Sequence, residues 1–225
     1  HRGARFICWA LAFVVTATLL GSGDARSQAA EEKDPDFELD PISLRGPSPQ
    51  DRFKDIKIQQ NLGAQVPMDL MFRDENDKEV RLGDLFTDKP VVLSMVYYGC
   101  PMLCTLVLTG MVTGFDGQQG DFRLGDAFTV ISVSIDPTET GALAQEKKTN
   151  YLSELHTENA AENWHFLTGD EEAIEALSTT VGFRYYYDEP SGQYAHDSGI
   201  MILTPKGEVS SYYLGIEYLP RNLRK

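Results

Sequence analysis

Two stretches of the chain are apolar almost without interruption and rich in β-branched residues. Pro90 to Tyr97 reads Pro-Val-Val-Leu-Ser-Met-Val-Tyr, and Phe128 to Ile135 reads Phe-Thr-Val-Ile-Ser-Val-Ser-Ile. Runs this short and this continuous predict strands covered on both faces. Between and after them the period changes. Thr105 to Phe115, Gly141 to Leu155 and Glu171 to Val181 have helical composition, the last beginning after Gly169-Asp170. Pro101 suits the first position of the first helix, where a missing N–H costs nothing. Trp164 to Thr168 reads as a third short strand. Phe183 to Tyr187, Gly199 to Thr204 and Glu208 to Leu214 read as three more, the last two joined by the turn Pro205-Lys206-Gly207. Ahead of the first buried run, Met68 to Phe72 and Lys78 to Leu82 flank the turn residues 73–77 and predict a hairpin. The pattern is that of an α/β fold: a central mixed β-sheet flanked by helices, with an N-terminal β-hairpin extension.

The two ends differ from this middle. Arg2 and Arg5 precede an uncharged, mostly apolar stretch from Phe6 to Leu20, and Ala25-Arg26-Ser27 has the small-x-small form of a cleavage site. The apolar core is shorter than the roughly 20 residues that span a bilayer. Residues 1–27 are therefore expected to be a signal peptide, with an N-terminal membrane anchor as the rival. Residues 28–60, charged and punctuated by Pro35, Pro47 and Pro49, are expected to be a flexible tether, and residues 61–225 the folded domain. Export places the domain outside the cytoplasm, in the periplasm or facing it.

Charge narrows the field. With 34 acidic against 20 basic residues the chain carries −14, and losing residues 1–27 would remove three arginines for one aspartate. Such a surface repels phosphate backbones, so nucleic acid is excluded as a partner. Cysteine narrows it further. Cys8 would leave with the signal, which leaves Cys100 and Cys104. A bridge between them closes too short a loop to serve as a staple; the pair is there for chemistry.

Cys-x-x-x-Cys at the mouth of a helix puts both sulfurs on one face, where free N–H groups and the helix dipole favour thiolate. Three intervening residues give a wider bite than the two usual in thiol oxidoreductases, so a metal ion and a disulfide are both accessible. His196, in a loop entering the strand that starts at Gly199, could approach them, although by spacing alone it is an ordinary loop histidine. Asp136, ending the second buried run, is a second-shell candidate or a turn cap. Met102 reads as helix-face packing, His165 as packed or surface, His156 as solvated, and Tyr185 to Tyr187 as strand.

Taken together, Val91 to Tyr97, the Cys100-Pro-Met-Leu-Cys104 motif, Ser132 to Pro137 and Ala195-His196-Asp197 resemble the Sco/SenC family across roughly residues 57–219. The resemblance implies a thioredoxin-like fold and one copper ion, Cu(I) or Cu(II), held by Cys100, Cys104 and His196. It implies delivery to the binuclear copper centre of a cytochrome c oxidase subunit, subunit II or a similar copper protein, with a thiol reductant as a further partner. Two thiolates and an imidazole suit copper, whereas a structural zinc site would want a fourth protein ligand. Two readings stay open: a metallochaperone, or a thiol–disulfide oxidoreductase that reduces the cysteines of a copper-site partner through a redox-active Cys100–Cys104 pair. Thr105 stands where many family members have proline. The helix that closes a thioredoxin-like fold is missing or only begun after Pro220, so the C-terminal end is expected to be truncated.

Overall fold

A computed structural model describes residues 56–116, 118 and 122–223. The expected signal and most of the expected tether lie outside the described residues, as does Cys8. Packing starts slightly before Asn61: Ile58 is buried, and the Gln59 N–H donates to the Gly182 carbonyl.

Strand β3 (Val91–Val96) is buried at every residue, and so is β4 (Thr129–Ser134). They pair in parallel from Val91 opposite Thr129 to Val96 opposite Ser134. β5 (Trp164–Leu167) adds a parallel edge beside β4, while β8 (Gly199–Leu203) and β9 (Val209–Leu214) extend the other side antiparallel, giving the order β5-β4-β3-β8-β9. Each large apolar side chain fully buried here stabilises the fold by roughly 1.5–3 kcal/mol. Among the described residues most of the few polar side chains inside are paired, the Thr129 hydroxyl on β4 being the exception. The Ser94 and Ser132 hydroxyls bond at 2.8 Å, the Trp164 indole donates to Ser132 Oγ, and the Tyr98 hydroxyl lies 2.9 Å from the carbonyls of Ser132 and Leu167.

Helix α1 (Leu103–Asp116) follows β3, α2 (Gly141–Ser153) follows β4, and α4 (Glu171–Thr180) follows β5. Thr140 and Asp170 cap the last two by accepting from the N–H groups of Leu143 and Ala173. A short helix the periodicity did not show, α3 (Ala160–Asn163), leads into β5, and α5 (Pro220–Leu223) follows β9. The hairpin of β1 (Met71–Arg73) and β2 (Glu79–Arg81) is shorter than predicted and runs on into a 3-10 turn, Leu82–Leu85. Backbone bonds between Arg73 and Thr168 tie it to the end of β5, and the buried ion pair of Glu75 with Lys148 ties its turn to α2. Among the described residues no helix is long and apolar enough to cross a membrane.

Two differences from the sequence reading matter for the site. Helix α1 starts at Leu103, so Pro101 stands two residues ahead of it rather than at its first position. His196 is not in a loop: it ends β7 (Gln193–His196), which pairs antiparallel with β6 (Tyr185–Asp188), placing His196 opposite Tyr185.

Helix α1 also carries Gly110 and Gly114, one turn apart. A Cβ at Gly110 would stand 1.9 Å from the Ile216 carbonyl oxygen, and one at Gly114 would stand 2.4 Å from that of Tyr218. The pair lets the strand-to-helix connection after β9 lie against α1. Gly110→Ala gains up to about 1 kcal/mol in helix propensity. It also forces a backbone apart, an overpacking cost of about 1–3 kcal/mol. Urea denaturation should therefore show a net loss of stability, opposite to the effect of the same change on an exposed helix face.

Candidate functional site

The end of β3 places the site. After Val96 the chain turns through Tyr97, Tyr98 and Gly99, and the Cys100 N–H closes the turn on the Tyr97 carbonyl. Cys100 is the last residue before the bend at Pro101, and Cys104 is the second residue of α1. Both are reduced and buried, Cys104 the more deeply. The Tyr97 N–H donates to Cys104 Sγ at 3.3 Å, and the Thr105 hydroxyl donates to the Cys100 carbonyl at 3.2 Å. Thr105 thus stitches the bend to the first turn of the helix.

His196 arrives from the β6–β7 hairpin. Its Nε2 lies 3.0 Å from Cys104 Sγ, and its Nδ1 lies 2.7 Å from the Asp197 carbonyl. A carbonyl only accepts, so Nδ1 carries the proton and, in the neutral ring, Nε2 presents its lone pair to Cys104. The ring is fixed by Phe183, with centroids 5.6 Å apart, and by Tyr97, which meets it edge-on at 6.0 Å. Tyr97, Cys100, Met102, Leu103, Tyr194 and His196 line a cavity of about 430 Å³.

The sulfurs are electrostatically unequal. The hydrogen bond from the Cys104 thiol lowers the pKa of Cys100 most; burial opposes it, and the N–H groups of Cys104 and Met102 and the Tyr97 hydroxyl add to the lowering, down to about 4. Cys104 moves the opposite way, first because its proton is held by Cys100 and then because it is buried. These directions make Cys100 the thiolate and leave the proton on Cys104, which donates it to Cys100 while His196 Nε2 lies 3.0 Å from the same Cys104 sulfur. Among the described residues no three His, Cys, Asp or Glu side chains already form a finished metal cage. The donor set nonetheless fits a soft cation: two sulfurs and an imidazole nitrogen lie together where an ion could take the proton's place.

The other candidates fall out as follows. Asp136 Oδ1 accepts from the Thr138 N–H and hydroxyl, the turn-cap alternative. Met102 is not packed on a helix face: it is 69% exposed, at the cavity wall. His165 lies on β5, where burial, then the charge of Lys148, lowers its pKa. His156 is exposed and bonds Asp116. No feature of the sequence pattern pointed to Glu139. This half-buried carboxylate accepts from the N–H groups of Tyr98 (2.8 Å) and Gly99 (2.5 Å) and from the Ser134 hydroxyl. Nothing in the stretch Asp136-Pro137-Thr138-Glu139 singles it out, because the backbone N–H groups it holds are about forty residues away.

A family model described as SCO1/SenC matches residues 59–223. Among solved structures, one from Aquifex aeolicus VF5 superposes with a TM-score of 0.61 at 23% identity, covering 72% of this chain and 90% of that one. Arabidopsis thaliana ScoI with copper bound gives 0.56 at 18% identity, covering 72% of this chain and 95% of that one. BsSco, described as a member of the Sco family of cytochrome c oxidase assembly proteins with a disulfide switch, gives 0.54 at 20%, covering 75% and 94%. No curated protein gives a significant match. At these identities the structures share the thioredoxin-like fold with this chain, as the sequence led one to expect.

The inequality of the sulfurs has a direct readout. In the reduced protein, iodoacetamide should alkylate Cys100 at a rate that is flat from about pH 6 to about pH 9, because the attacking thiolate is already fully formed there. The rate should fall only as the pH approaches about 4. Peptide-resolved mass spectrometry should find Cys104 unmodified. A rate still rising through about pH 8–9 would mark Cys100 as an ordinary thiol.

Proposed function

The chain belongs to the SCO1/SenC family, and from that premise we propose that it is a copper metallochaperone acting outside the cytoplasm. Cys100, Cys104 and His196 would hold one copper ion as cargo and pass it to the binuclear copper centre of a cytochrome c oxidase subunit. The observation that carries this reading is the 3.0 Å approach of His196 Nε2 to Cys104 Sγ, across 92 positions of sequence and beside a second cysteine. A dithiol reductase does not require an imidazole at its buried sulfur; a carrier of Cu(II) does, since imidazole serves that ion where thiolates alone suit Cu(I). The copper bound to Arabidopsis ScoI supports the same cargo. Export to the periplasm, or anchoring at the membrane facing it, follows from the apolar, arginine-flanked N-terminus.

A second reading is favoured by a separate observation. A Cys100 thiolate beside a protonated Cys104 is the arrangement of a thiol–disulfide oxidoreductase, and the disulfide switch described for BsSco is consistent with it. The two activities would compete for the same sulfurs, because an oxidised pair has no thiolate to offer a metal.

Competition against a chelator of known affinity, run for Cu(I) and Cu(II), tests the first reading. Cys100→Ser and Cys104→Ser should each abolish stoichiometric binding. His196→Ala should weaken Cu(II) by more than the roughly 10–100-fold that losing a mere partner of a ligand costs, with a much smaller effect on Cu(I). Unchanged Cu(II) affinity together with lost reduction of a disulfide peptide would overturn the carrier in favour of the oxidoreductase.

A further inference from the structure

The turn that presents Cys100 is not held by its own backbone alone. Tyr98 and Gly99 point their N–H groups away from the sheet, at Glu139 across the end of β4. The Ser134 hydroxyl, from the last residue of β4, fastens the same carboxylate from below. A side chain at position 99 would begin 3.2 Å from Glu139 Oε1, so the glycine there permits the close approach. One carboxylate thus spans the ends of β3 and β4 and fixes the two residues that precede Cys100. Glu139 also brings its carboxylate beside the turn that carries the pair: burial raises its pKa, and the hydrogen bonds from Ser134, Tyr98 and Gly99 oppose that and favour the anion.

We propose that Glu139 is a positioning residue for the Cys100–Cys104 pair, fixing the Tyr98–Gly99 turn and, through its charge, making the pair a stronger reductant. The reduced pair carries negative charge on sulfur and the disulfide carries none. An anion at this spot therefore raises the free energy of the reduced form and leaves the oxidised form nearly untouched. The inference deepens the assignment of Cys100 and Cys104 as the working pair, and it does not depend on copper.

The experiment equilibrates the copper-free domain with glutathione and glutathione disulfide. In the balanced exchange the thiolate–thiol pair gives up two electrons and one proton, and one sulfur–sulfur bond forms. One glutathione disulfide takes up those electrons, that proton and one from the buffer to become two glutathiones. Glu139→Gln keeps the size and one acceptor oxygen but removes the charge. It should shift the equilibrium about tenfold towards the reduced pair, a potential about 30 mV less negative. Glu139→Asp keeps the charge and should recover most of that shift. Ser134→Ala, which strips only the hydroxyl that spreads the carboxylate's charge, should move the equilibrium slightly in the opposite direction. It serves as the test if Glu139→Gln fails to fold. An unchanged equilibrium in folded Glu139→Gln would overturn the proposal, as would equal shifts in the Gln and Asp variants or no shift in Ser134→Ala. Copper titration of the same variants is separate. Loss of copper binding in the wild type would sink the carrier reading and leave this one standing.

Discussion

The site depends on the complete burial of β3 between β4 and β8. With neighbours on both edges and cover on both faces, the strand has no freedom to slide, because a one-residue slip would turn every side chain to the wrong face. The last residue of β3 is therefore fixed in space, and so is the point at which the chain must leave the sheet. Tyr97 takes up that position: its N–H reaches Cys104, its carbonyl holds Cys100, and its ring packs against His196 and Tyr194. A reactive turn built on so firm a strand needs few bonds of its own. The same parallel pairing sets the end of β4 beside the end of β3, which brings Ser134 and Glu139 within reach of the turn.

Burial then decides the chemistry. Two sulfurs that share one proton in a half-dry pocket cannot divide the charge evenly, since two adjacent thiolates would repel each other and lose their hydration. The N–H groups of Met102 and Cys104 favour charge on Cys100, so it settles there, and Cys104 keeps the proton that it donates to Cys100. The phenol of Tyr97 is pushed the other way, first by burial and then by its hydrogen bond to Cys100, and remains a donor to that sulfur. The wider surface, at −14, is hospitable to cations, but that field is diffuse and screened within about 10 Å at 0.1 M salt. The specificity of the site lies in its few directed contacts.

How much of this could be read from the sequence follows the same physics. β3, β4 and their helices were legible because burial on two faces leaves an unbroken apolar run, and the Cys-x-x-x-Cys motif was legible because its spacing is local. β7 was not. Gln193-Tyr194-Ala195-His196 is short and mixed in polarity, and its strand character comes from pairing with β6 rather than from its composition. His196 was consequently expected in a loop, and the family resemblance, not the periodicity, picked it out. The start of α1 was misplaced because Pro101 fits a first helical position, whereas the bend that seats Cys100 delays the helix to Leu103. Met102 was expected inward on a regular helix, and the same bend turns it out to the cavity wall. Glu139 was invisible because a carboxylate that binds backbone N–H groups of a distant turn leaves no pattern in either segment.

The order of burial around the pair restricts how it can work, whichever chemistry it performs. Cys104 forms the back of the site, and the His196 ring, fixed by Tyr97, Phe183 and the Asp197 carbonyl, lines the cavity. Cys100 shares the cavity wall with His196, and Met102 on the same wall is open to solvent. An incoming disulfide must be attacked by a thiolate that it can reach, and Cys100 is both the thiolate and the accessible sulfur. A metal ion entering the cavity would meet Cys100 and His196 together, because both line it, whereas Cys104 is covered. Metal binding and thiol exchange would therefore both engage the Cys100 sulfur at the cavity wall. A change that moves the charge from Cys100 to Cys104 would impair both, even with every donor still present.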